Sequence, residues 1–209
     1  MHLPAFYITL IIAFTFAVAT YKNIRPDYLK LSLPYLFINL VAETYGTITK
    51  INGIRNVWIY NIATTIEFAF YYYIYFRALK GRFAKKTIFL FSFLYFPFAI
   101  FNIIYIQGIN HFHTNGFLIG ALFLILLVFA YLQELMQTSL TYSPLKEKML
   151  WISIGVILFY IVSFFYLGLF EFIDKNYPHL ENIFDQILNI LNVFLYLMFI
   201  IAFYIKNDK

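Results

Sequence analysis

Residues 56–77 read "NVWIYNIATTIEFAFYYYIYFR". The stretch is apolar and aromatic over the roughly 20 residues that a helix needs to cross the hydrocarbon core of a bilayer. Glu67 nevertheless stands near its middle. A carboxylate at that depth costs several kcal/mol, and such a group faces other helices or water rather than acyl chains. The reading of the whole chain follows from reconciling that residue with its surroundings.

Hydrophobic residues make up 63% of the 209 positions and charged residues 12%, where soluble domains carry about 25% charged residues. A soluble exterior cannot absorb that much apolar surface, so lipid is the solvent this chain is built for and the bilayer its first partner. Cysteine is absent, which excludes disulfides, thiolate metal sites and cysteine nucleophiles. The net charge of +5 sits in short loops. It reads as a topology signal rather than a nucleic-acid footprint, and no nucleic-acid partner is expected. The opening "MHLPAFYITLIIAFTFAVATYK" lacks a basic leader and a small-residue cleavage site, so it is expected to remain as the first helix.

Seven apolar runs can be marked, at about 3–21, 31–49, 56–78, 86–107, 115–137, 149–171 and 183–205. The breaks between them hold the Pro, Gly, Asn and Lys of turns. No soluble domain fits between them, and residues 1–209 are expected to form one all-α, seven-transmembrane-helix bundle. With the amino terminus outside, every Lys and Arg except Lys50, Arg55 and Lys175 falls inside. That asymmetry predicts an N-out, C-in topology.

Under this topology Glu67 lies about 16 Å below the outer surface, at 1.5 Å of rise per residue. Tyr60, Thr64, Glu67 and Tyr71 share one helix face. The second run carries Ser32, Asn39, Glu43 and Gly46 on one face, and the seventh carries Asp185, Asn189, Asn192 and Tyr196. The fourth offers Ser92, Tyr95 and Asn102, and the sixth Ser163 and Tyr166. Most of these polar groups belong to the outer half. The expectation is an outward-opening polar pocket between helices 2, 3, 4, 6 and 7, with Asn39, Glu43, Asn61, Thr64, Glu67, Asn102, Asp185, Asn189 and Asn192 as candidate ligand-binding residues. Each Asn or Thr can equally serve as interhelical glue, and Asp185 suits a helix start, where the dipole favours negative charge.

His2, His111, His113 and His179 fall on the expected outer side, with Glu171, Asp174 and Glu181 nearby. Imidazole and carboxylate can bind zinc or copper. An H-x-H pair in a loop fixes no ligand geometry, however, so His111, His113 and His179 are weak metal candidates and no cofactor is expected. H-E-x-x-H, G-x-S-x-G and P-loop motifs are absent. A retinal Schiff base would need a lysine within the last helix, and Lys206 lies at its end. The basic run "RALKGRFAKK" at 77–86 suits anionic headgroups or a cytoplasmic signalling partner. Gly116 and Gly120 have the spacing of close helix packing.

The pattern N-x-W-x-Y-N-x-x-x-x-x-E-F at Asn56, Trp58, Tyr60, Asn61, Glu67 and Phe68, with Glu134, Trp151, Ser153, Gly155 and Tyr160 further along, resembles a family of small, uncharacterised seven-helix inner-membrane proteins of Bacteroidota-type bacteria. The resemblance runs from the second to the sixth run and implies a multi-pass fold in a bacterial inner membrane, but no activity. In outline the chain is also similar to the membrane sensory halves of some bacterial signalling proteins. Three functional classes follow: an extracytoplasmic ligand-sensing module, a small enzyme acting on a lipid through Glu43 and Glu67, and a transporter or channel subunit. The first is the leading expectation, with a small molecule or lipid as ligand. The residues lean against a catalytic role without deciding it, and they name no catalytic residue.

Overall fold

The structure is a computed structural model that describes residues 4–138 and 143–205. His2, Lys206 and Lys209 lie outside the described residues, as do the side chains of Glu171 and Glu181. Among the described residues helix is the only regular secondary structure, with no strand. Seven α-helices run α1 Ala5–Thr20, α2 Ser32–Ile51, α3 Val57–Ala78, α4 Arg82–Phe101, α5 Thr114–Thr138, α6 Lys148–Asn176 and α7 Glu181–Tyr204. α4 starts at Arg82 because its basic residues continue the helix, and it ends in a π turn over Asn102–Ile106. α6 runs on to Asn176 through "EFIDKN".

Five of these helices are long and apolar enough to cross a membrane: α1, α4, α5, α6 and α7. The chain is thereby marked as a membrane protein. α2 and α3, of 20 and 22 residues, have the length but are diluted by polar residues. In α2 these are Asn39, Glu43, Thr44 and Thr47; in α3 they are Asn61, Thr64, Thr65, Glu67 and a run of tyrosines.

Neighbouring helices close a ring in the order α1, α2, α3, α5, α6, α7 and back to α1. α4 stands outside it, against α3 and α5. Ala13 and Ala17 are fully buried on α1, and small residues at this spacing let helix backbones approach closely. The opposite faces expose apolar side chains, Ile8, Ile11, Ile12 and Val18 on α1 and Phe89, Phe93, Leu94 and Ile100 on α4. A bilayer provides the surroundings for such faces.

The bundle has two ends. The N-terminal end gathers the start of α1 with the α2–α3, α4–α5 and α6–α7 connections. The C-terminal end gathers the other three connections and the end of α7. At the N-terminal end, Gly53 takes φ +66°, and the amides of Gly53 and Ile54 donate to Lys50 and Thr49 carbonyls. This left-handed cap closes α2. Asn56 donates its side-chain amide back to Gly46 O at 2.8 Å, fixing the entry of α3. At the C-terminal end, the Glu134 carboxylate of α5 accepts the backbone N–H groups of Lys80 and Gly81, at 2.9 and 3.4 Å. It thereby caps the start of α4.

The core is built of rings. Phe68 on α3 meets Tyr95 of α4, Phe117 of α5 and Tyr160 of α6, at centroid distances of 5.1, 5.8 and 5.5 Å. Gly120 of α5 lies beneath this cluster. A Cβ built there would stand 2.8 Å from both Phe68 and Tyr95, and both rings are fully buried. The Gly120 carbonyl also accepts the Tyr72 hydroxyl at 3.1 Å. Overpacking of this kind costs about 1–3 kcal/mol. Gly120→Ala is therefore expected to lower the thermal unfolding midpoint in detergent micelles, and Gly168→Ala, where the nearest atom is 3.7 Å away, to leave it nearly unchanged.

Candidate functional site

Polar stripes on four ring helices converge below the N-terminal end. On α7, Asp185 and Asn189 are exposed, Asn192 is half-buried and Tyr196 is buried. On α2, read in the same direction, Glu43 and Asn39 are half-buried and Tyr35 is buried. On α3, Tyr60, Thr64 and Glu67 are half-buried and Tyr71 is fully buried. On α6, Tyr166 and Ser163 are buried above a fully buried Tyr160. Each stripe ends in a buried tyrosine. Accessibility thus falls along α2, α3 and α7 toward these tyrosines, which form a shared phenolic floor.

Glu67 is the acid nearest that floor. It is half-buried within the bundle. The Tyr35 hydroxyl donates to Glu67 Oε1 at 2.8 Å and lies 3.0 Å from the Tyr71 hydroxyl. A phenol has one proton, so with Tyr35 donating to Glu67, Tyr71 donates to Tyr35. The resulting Tyr71–Tyr35–Glu67 relay is cooperative, because each bond polarises the next in a low-dielectric interior. The Tyr160 and Tyr196 hydroxyls lie within electrostatic reach of the same carboxylate. Tyr160 closes no hydrogen bond of normal geometry.

Glu43 sits nearer the N-terminal end and accepts the Tyr60 hydroxyl at 3.4 Å. Tyr60 reaches it across Gly46, where a Cβ would lie 2.0 Å from the phenol oxygen. A side chain there would have to displace the phenol from Glu43. Tyr196 of α7 is within electrostatic reach of both Glu43 and Glu67. Asp185 accepts the Tyr166 hydroxyl at 3.5 Å. Glu43, Glu67 and Asp185 together give the four stripes an acidic lining that contains no Lys or Arg.

Two of the expected residues lie elsewhere. Asn61 clamps the α4–α5 connection: its amide donates to His111 O at 2.9 Å and its carbonyl accepts the His113 N–H at 3.1 Å. Asn102 donates to Gln107 Oε1 at 2.7 Å within its own turn. Because α4 packs outside the ring, Asn102 and Ser92 are not part of the four convergent stripes. Asn39 donates its amide to the Tyr35 carbonyl one turn back, at 3.0 Å. Tyr35 was missed in the sequence, although it is spaced by fours from Asn39 and Glu43. Below the floor, the Tyr75 hydroxyl and Ser153 Oγ meet at 2.9 Å between α3 and α6.

His111 and His179 are exposed and His113 is fully buried. Among the described residues, no three His, Asp or Glu side chains gather in a metal-binding group. Both ring nitrogens of His113 lack hydrogen-bond partners, and Nδ1 packs over Gly116. No family model matches the chain, and neither a curated protein nor a solved structure matches it.

Burial pushes the His113 imidazole down to about 4, from the 6.5 of a free side chain. Between those values the unfolded chain binds a proton that the folded chain does not. Stability is therefore intact above about pH 6.5, falls as the pH drops through that window, and levels below about 4. Relative to His113→Leu, the wild type is expected to lose about 2 kcal/mol on going from pH 7 to pH 5. Chemical denaturation in micelles at the two pH values measures the difference, and parallel losses in both proteins would refute it.

Proposed function

We propose that this chain is a seven-span membrane protein of a bacterial inner membrane, with its N-terminal end outside the cytoplasm, and that it senses a small amine-bearing molecule through the recess above Glu67. Charge supports the orientation. Among the described residues, Lys50, Arg55 and Lys175 lie at the N-terminal end, and all other Lys and Arg lie at the C-terminal end, the cytoplasmic side under the positive-inside rule. α2 and α3 are counted as spans because they complete the ring between apolar helices and because their polar faces join its convergent stripes. The inner-membrane placement rests on the family resemblance.

The observation that carries the ligand reading is the fall in accessibility along three helices to one buried relay, Tyr71–Tyr35–Glu67. A carboxylate at the foot of an accessible, cation-free recess favours a ligand that brings positive charge. Tyrosine faces around it add cation–π attraction, of about 0.5–2 kcal/mol each. A bound ammonium competes with Tyr35 for Glu67. Movement of Tyr35 shifts Tyr71, and one turn further along α3 lies the Tyr75–Ser153 bond to α6. This supplies a route by which occupancy changes the C-terminal end, where a cytoplasmic signalling partner would read it. Coupling of this kind requires that the ligand prefer one arrangement of those helices.

The test uses a panel of primary and quaternary alkylamines with uncharged isosteres, added to protein in nanodiscs that carries one environment-sensitive fluorophore at Gly81→Cys. At least one amine is expected to raise the unfolding midpoint and shift the fluorescence, and its isostere to do neither. Glu67→Gln is expected to abolish both responses while the variant stays folded. Equal responses of wild type and Glu67→Gln across the panel would remove the proposal.

A further inference from the structure

The C-terminal end of the bundle holds a polar space. A cavity of 610 Å³ opens where α1, α6 and α7 meet, with Lys22, Arg25 and Lys148 in its walls and Phe16 and Phe203 among its apolar lining. Lys148 is the first residue of α6 and only 5% exposed. A lysine buried to that degree normally has an anion beside it. Arg25 and Lys30 pair with Asp27, and neither of these pairs involves Lys22 or Lys148. The backbone N–H groups at the start of α6 add positive potential at the same place. Arg25 keeps donors beyond those facing Asp27, since a guanidinium has five.

We propose that this cavity binds a phosphate group, supplied by the headgroup of an acidic phospholipid. The phosphate oxygens take the Lys148 and Lys22 ammonium groups and a free Arg25 N–H. The acyl chains leave along Phe16 and Phe203 into the bilayer. The apolar walls favour a lipid over a free anion, because soluble phosphate makes no use of them. The site is independent of the amine reading, being at the other end of the molecule and of opposite charge. It differs also from the exposed basic run at 77–86, since Lys148 is held inside the fold.

The experiment uses the full chain in neutral maltoside micelles, with dioctanoyl phosphatidylglycerol, dioctanoyl phosphatidylcholine or inorganic phosphate as probe. Unfolding midpoints and native mass spectrometry are the readouts. Phosphatidylglycerol is expected to raise the midpoint and to be retained at one molecule per chain, and phosphatidylcholine to do neither. Lys148→Gln and Lys22→Gln are each expected to weaken phosphatidylglycerol binding about tenfold, equivalent to about 1.4 kcal/mol. Lys148→Arg should retain it, as should Lys86→Gln at an exposed control position. Lys22 is exposed, so its variant reports on the site even if Lys148→Gln does not fold. Inorganic phosphate matching phosphatidylglycerol in the wild type, and failing in both glutamine variants, would confirm a phosphate site and overturn the lipid as its source. Equal retention of the two lipids, or unchanged phosphatidylglycerol binding by Lys22→Gln, overturns the site.

Discussion

An acidic side chain inside an apolar bundle needs hydrogen-bond donors, and the arrangement of this protein follows from where they are found. Glu67 receives its bond from Tyr35 of α2, and Tyr35 is steadied in turn by Tyr71 of α3. That requirement sets the register between the two least apolar helices. Their polar faces must turn inward, and more apolar helices, α1 and α5 beside them and α6 and α7 across the ring, shield them from lipid. Loss of the Tyr35 hydroxyl would leave the acid short of a donor, and an unmatched buried polar group costs about 1–3 kcal/mol. The phenolic floor is thus structural as well as chemical.

Aromatic packing makes the floor rigid. Tyr35 stacks on Phe70 at 4.3 Å, Tyr71 meets Tyr160 edge-on at 5.8 Å, and Phe68 joins rings from three other helices. Rings interlocked in this way have discrete arrangements rather than continuous play, because interiors are close-packed. Above the floor, by contrast, Asp185 and Asn189 are exposed and Glu43 and Asn39 half-buried. Polar stripes that are exposed at one end and tightly packed at the other suit the ligand-sensing use proposed for them.

Much of this was legible in the residues. Spacings of four and three placed Tyr60, Thr64, Glu67 and Tyr71 on one face of α3, and the same logic united Asp185, Asn189, Asn192 and Tyr196 on α7. Periodicity reports which residues share a face, but not which helix that face meets. Asn61 and Asn102 have the composition of pocket residues, yet they are engaged by loop backbone and by Gln107. Nothing local announces that α4 stands outside the ring. Tyr35 could have been found by extending the Glu43–Asn39 spacing one turn further. The cluster of Lys22, Arg25 and Lys148 could not, since it joins residues more than 120 positions apart.

The absence of cysteine makes the central claim directly measurable. Single cysteines introduced as Asn189→Cys, Asn192→Cys and Tyr196→Cys step down the α7 stripe, and a membrane-impermeant maleimide can be applied to sealed vesicles of either orientation. A polar recess open at the N-terminal end predicts labelling from that side alone, fast at 189, slower at 192 and absent at 196. Labelling from the C-terminal side, or none at 189 and 192, would mean that the acids below are cut off from water and that the recess does not exist.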